Sequence, residues 1–299
     1  MGDYYGRQFE IGIGGSADKP SLFIEATTGR QFRVQFGVAT DAGNANSYCE
    51  LSIWGLSRET ENKIFKRGLP IYLKAGYEFN LDYIFKGEVV NFFRTRQGPN
   101  RISKIIARGG AVKLENATIT KSFGAGAKLA EIISACAAAI GYTVVFAKTS
   151  DFQKAFVRGY TLNGDPKHIL NALSRQFDFQ WVVENDRIVV LYQGSVRGAV
   201  THKISALTGM IGSPEILTSR GGKFGVSVSV KLNPKIKWGE ALQINSEFPR
   251  ANISNVYFND IAPTLGEGTY KALTIEHLGD SWGDEWTTRL TGSRWSLSA

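Results

Sequence analysis

Histidine, cysteine and long apolar runs are all scarce in this 299-residue chain. The three histidines, His168, His202 and His277, show no metal-type spacing, and each is expected to be structural. One cysteine falls in a strand pattern (Cys49) and one on a helix face (Cys136), which predicts buried, reduced thiols rather than a disulfide or a metal site. The longest apolar stretch, residues 132–140, falls well short of the roughly 20 residues that span a bilayer. The opening Met1-Gly2-Asp3-Tyr4-Tyr5-Gly6 has no basic region followed by an apolar core, so no signal peptide is expected. Gly6 stands where a myristoylation motif needs Ser or Thr. These features predict a soluble protein of a reducing compartment, without a membrane anchor.

Enzyme signatures are missing too. There is no Gly-x-Ser-x-Gly elbow and no phosphate loop. Gly12-Ile13-Gly14-Gly15 lacks the third glycine, the following helix and the downstream acid of a dinucleotide loop. Asp280, Asp284 and Glu285 cluster near one turn and are the candidates for a cation site or a carboxylate pair. Gly279 and Gly283 beside them offer the plainer reading, a hydrogen-bonded hairpin turn. The expectation is no catalysis, no metal and no cofactor.

What is present is glycine and positive charge. Thirty-three glycines fit many turns between short strands, and the length allows two or three compact domains. The net charge is +8, densest at Arg94, Arg96, Arg101, Lys104, Arg108 and Lys113 around a Gly98-Pro99-Asn100 turn. Such residues can follow a phosphate backbone or a negatively charged protein surface. The alternative is a solvated hairpin face, because no aromatics interleave as a base-stacking platform requires.

The middle of the chain reads as two copies of a strand-helix-strand unit. The first runs from Ala117-Thr118-Ile119-Thr120 across Gly124-Ala125-Gly126 to a helical face of Leu129, Ile132, Ile133, Cys136 and Ile140. Gly141 ends that helix, and Tyr142-Thr143-Val144-Val145-Phe146 follows as a strand. In the second, Tyr160-Thr161-Leu162 leads through Asn163-Gly164 to an Asp165 N-cap with Pro166 at the first helical position. Ile169, Leu170, Leu173 and Phe177 form its buried face, and Phe179-Gln180-Trp181-Val182-Val183 returns as a strand. A hairpin through Glu184-Asn185-Asp186 completes the unit.

Both flanks read as β. Phe32, Val34, Phe36 and Val38 alternate with polar residues or glycine, as do Cys49, Leu51 and Ile53, and Val226, Val228 and Val230. Ser57 is placed to cap a short helix over residues 58–65 with an acidic first turn. Each flank then offers a strand after a glycine (Gly68, Gly239), a loop and a long hairpin. The predicted organisation is mainly β with an α+β insert: a first β-barrel at 1–112, a central unit at 113–195 and a second barrel at 196–299. Trp54, Trp238, Trp282 and Trp286 sit near strand ends or turns, positions where large aromatics anchor interfaces or fill barrel ends.

Three stretches carry a family resemblance: CELSIWGLSRET at 49–60, KLNPKIKWGEALQI at 231–244 and YKALTIEHLGDSWGDEWTTRLTG at 270–292. Together they resemble the baseplate hub proteins of contractile-tailed bacteriophages. The resemblance implies two similar tube-type barrels per chain and a homotrimeric ring of six barrels. Such a ring would adapt a sixfold tail tube, or its initiator protein, to a threefold central spike among other baseplate proteins. It also implies a virion component assembled in the host cytoplasm, with genomic DNA passing through the ring and with spike or lysozyme domains on separate chains. Arg94, Arg96, Arg101 and Lys104 are then candidates for lining the channel or facing a partner. The competing readings are a phage-associated cell-wall hydrolase or glycan-binding module using Asp280, Asp284 and Glu285, and a β-barrel nucleic-acid binder using Arg94, Arg96 and Arg101.

Overall fold

A computed structural model describes residues 6–15, 19–26, 32–41, 46–198, 200–218, 224–246, 250–251 and 267–295. Most of the turn expected at 41–46 and most of the polar loop expected at 245–268 lie outside these residues. The chain opens with β1 (Arg7–Gly15), β2 (Pro20–Glu25), β3 (Val34–Asp41) and β4 (Tyr48–Trp54). In β3 the burial alternates residue by residue, so its apolar set faces one side. Ser57 caps α1 (Arg58–Ile64), its side chain accepting from the Thr60 amide as expected. Then come β5 (Pro70–Tyr77), the 16-residue β6 (Asp82–Gln97) and β7 (Asn100–Arg108). A short helix follows that sequence periodicity did not signal, α2 (Ala111–Asn116), entered through Gly110 in the left-handed region.

The central unit has the expected order: β8 (Ile119–Phe123), α3 (Leu129–Ile140), β9 (Thr143–Phe146), β10 (Tyr160–Gly164), α4 (Pro166–Phe177), β11 (Phe179–Glu184) and β12 (Arg187–Tyr192). Gly141 closes α3 at φ 86°, and Asp165 caps α4 with Pro166 at its start. The two copies interlock. Their first strands, β8 and β10, pair antiparallel, while β9 joins the β11–β12 hairpin through a parallel ladder to β12.

The last part holds β13 (Thr201–Ile204), β14 (Met210–Thr218), β15 (Phe224–Lys231), β16 (Ala241–Ile244), the two-residue β17 (Arg250–Ala251), β18 (Gly268–Asp280) and β19 (Trp286–Arg294). β18 runs to Asp280, so Gly279 and Asp280, expected in the connecting turn, belong to the strand.

Outside the central unit all strands join one 14-stranded sheet. Its first half runs β3-β4-β7-β6-β5-β1, with β2 outside β1. Its second half runs β14-β15-β19-β18-β16-β13, with β17 beside β14. The two halves therefore repeat one strand order. The long strands β6 and β18 also shift register at matching places, between Val89 and Asn91 and between Ala272 and Thr274, next to where each leaves its shorter partner. The repeat is inexact at its end, since β1 meets β5 antiparallel and β13 meets β16 parallel. Among the described residues no ladder joins the two ends of the sheet or of either half.

Three apolar clusters fill the molecule. The first gathers strands β1 to β7 and α1, plus Leu232 and Trp286 from the far end of the chain. The second lies within the central unit around α3 and α4. The third gathers the last strands, together with Val182, Val189 and Leu191 of the β11–β12 hairpin. Cys49 and Cys136 are buried free thiols, as expected, and burial pushes Cys136 up to about 12.

Candidate assembly interface

The two halves meet along one seam. Seven residues of β18, from Thr274 to Asp280, pair antiparallel with β3 between Asp41 and Gln35. At the end of the seam the turn after β18 is held by polar contacts. Asp280 accepts from Arg33 Nη2 at 2.9 Å, Gln35 Nε2 at 2.7 Å and the Trp282 amide at 3.0 Å. Ser281 exchanges bonds with the Val34 backbone, its amide donating to the Val34 carbonyl and its hydroxyl accepting from the Val34 amide. Burial raises the Asp280 carboxyl, but these donors outweigh it and hold the group at about 2. Arg33 in turn lies over the Trp54 ring, 4.7 Å from its centroid. Gly279 leaves room for Phe36, whose ring would sit 2.3 Å from an added Cβ.

Asp280, Asp284 and Glu285 line one groove together, but two of the three are already paired. Asp280 is fully engaged with Arg33 and Gln35, and Glu285 pairs with Arg289 at 3.1 Å. No group of three potential metal ligands comes together among the described residues. His277 is buried against Thr288 and pushed down to about 3 by burial and by Lys237, whereas His202 bonds Glu240 at 2.7 Å.

The tryptophans divide. Trp238 and Trp286 are core side chains of this chain and present no outer surface. Trp286 donates Nε1–H to the Gly76 carbonyl and meets Phe36 edge-on, tying the C-terminal hairpin to the first half. Trp54 is half-buried beneath Arg33, and Trp282 is 68% exposed.

The basic residues divide as well. Arg94 is spent on α1, donating to Glu61 at 2.6 Å and to Asn62. Glu61 is buried and also accepts from Ser103 at 2.6 Å; burial raises its carboxyl, and these two donors bring it below its ordinary value. Lys104 lies 3.8 Å from Glu50. Arg96 and Arg101 face each other across the exposed tip of the β6–β7 hairpin. Sequence reasoning passed over Glu61 and Arg33. The available signals were a carboxylate three residues before the apolar Ile64 on a short helix, and an arginine at the mouth of an alternating strand. The polar groove, of about 460 Å³, crosses the seam and is lined by Gln35, Glu50, Glu276, Asp280, Asp284 and Glu285.

The chain also has relatives of known structure. A prophage MuSo2 43 kDa tail protein from Shewanella oneidensis is similar, with TM-score 0.63 and 11% identity over 97% of this chain and 98% of that one. A tail protein from Neisseria meningitidis MC58 gives 0.58 and 12%, over 97% of each chain. The E. coli c3393 protein, a type VI secretion system component structurally similar to the T4 tail proteins gp27 and gp5, gives 0.59 and 9%, over 90% of this chain and 76% of that one. At such identities these likenesses carry the fold alone. No curated protein matches the sequence. The family model for baseplate hub gp41 matches residues 18–257, and the chain therefore belongs to the baseplate hub gp41 family of phage tail proteins.

Proposed function

We propose that three copies of this chain form the hub ring of a contractile tail, adapting a sixfold tube to a threefold spike. The observation that carries the reading is the repeated strand order of the two halves. A chain that presents one architecture twice gives a trimer six near-equivalent positions, the number a sixfold tube needs. In this reading the two halves are tube-type barrels spanning 1–112 and 196–299, and 113–195 is the unit between them. Each of the three regions supplies most of one apolar cluster, which supports that division. The protein works as a structural part of the virion baseplate, assembled in the host cytoplasm beside tube or tube-initiator, spike and other baseplate proteins. Exposed Trp282 and half-buried Trp54 supply partner contacts, and Arg96, Arg101 and Lys104 face a partner or the DNA channel. Catalysis has no part in it.

Light scattering across a concentration series tests the reading. The expected mass is three times that of the 32.8-kDa chain. A monomer at every concentration, alone and with tube and spike proteins added, would refute it.

A further inference from the structure

The repeated strand order leaves one sheet edge without its counterpart. In the second half, Thr274 to Gly279 of β18 pair with β19 on one side and, with Asp280, with β3 on the other. The matching residues of β6, from Asn91 to Gln97, pair with β7 on one side. On their other side no strand is present among the described residues, because β5 leaves β6 at Glu88. The match is residue by residue. Arg94 opposite Ser103 takes the place of His277 opposite Thr288, and Val89 opposite Ala107 that of Ala272 opposite Gly292. The strand equivalent to β3 is β14: Val38 opposite Cys49 corresponds to Ile216 opposite Val226.

We infer that the free edge of β6, from Asn91 to Gln97, adds antiparallel to β14 of a second copy of this chain, repeating between chains the β18–β3 seam found within one. An unpaired seven-residue edge is a template for strand addition, and the internal seam identifies the strand that fits it. Carrying the seam's register across sets Phe93 opposite Leu217 of the second copy and Thr95 opposite its Glu215, and the match ends there because β14 shifts register between Glu215 and Ile211. Phe93, 40% exposed in the single chain, is covered by this ladder. In the single chain β17 pairs with β14 only at Glu215 and Ile216, so a two-residue pairing gives way to a longer one. The contact is heterologous, each copy offering β6 to one neighbour and β14 to the other, and such a contact makes a ring when its rotation closes. The number of copies in that ring rests on the trimer reading above; the register does not.

A disulfide test reads the register directly. Thr95→Cys combined with Glu215→Cys should give covalently linked chains on mild oxidation, while either substitution alone gives none. The native Cys49 and Cys136 are buried and do not compete. Phe93→Asp alters an exposed position, so its melting temperature should match wild type while its light-scattering mass drops to that of a monomer. Trimers that fail to cross-link, or that persist in Phe93→Asp, overturn the seam and leave the trimer reading standing. A protein that stays monomeric and unlinked at all concentrations, alone and with tube and spike proteins added, overturns both.

Discussion

Asp280 and Lys271 are buried charges handled in opposite ways. Asp280 is surrounded by donors that favour its ionised form, which lowers it from the usual 3.8 to about 2. Its folded state therefore binds fewer protons than the unfolded chain between those values, and the stability it contributes is lost as pH falls through that window. Asp280→Asn should cost about 1.5–3 kcal/mol near neutral pH, the range for a hydrogen bond to a charged group. Denaturant titrations should show this difference from wild type shrinking between pH 4 and 2. Lys271 is 2% exposed, and among the described residues its ammonium meets only neutral oxygens: Gln180 Oε1 and the Tyr192 and Gln193 carbonyls. Burial pushes it down to about 8. Between pH 8 and its ordinary value of 10.5 the unfolded chain holds the proton that the folded chain has lost, so stability rises with pH there and is flat below. Raised tyrosines and cysteines oppose this at high pH. Unfolding free energies of wild type minus those of Lys271→Met should cancel the opposing groups and increase from pH 8 to 10.

At the scale of single elements, caps and alternation were readable and partners were not. Ser57, Gly141 and the Asp165-Pro166 pair mark helix ends because the orphaned backbone groups there need specific side chains or backbone angles. Asp165 accepts from the Lys167 amide at 2.7 Å, and Asp165→Ala should lower thermal stability by about 1 kcal/mol, measurable by calorimetry. The helix α2 escaped notice because six residues are too few to show a period. The β3–β18 seam escaped notice because alternation says which face of a strand is buried and nothing about its neighbour more than 200 residues away. The same limit hid the role of the tryptophans. A large aromatic before a strand reads alike whether it fills this chain's core, as Trp238 does, or faces outward, as Trp282 does. The pairing of Arg94 with Glu61 joins two elements whose contact no local pattern announces.

At the scale of the whole molecule, long-range ties hold the ends of the chain together. Trp286 sits in the cluster of the first half and bonds the Gly76 carbonyl, so Trp286→Ala should cost about 3–5 kcal/mol and destabilise strands far from it in sequence. Hydrogen exchange should then report loss of protection in β1 and β5 as well as in β19. The β11–β12 hairpin makes a second tie. Trp181, Val183, Ile188 and Val190 belong to the central cluster, while Val182, Val189 and Leu191, on the other side of the same two strands, belong to that of the last strands. A two-sided hairpin of this kind acts as a party wall: neither room can be demolished while the other stands. The central unit is consequently not a module that can be cut out or exchanged between homologues at its apparent borders, because excision would strip one wall from its neighbour.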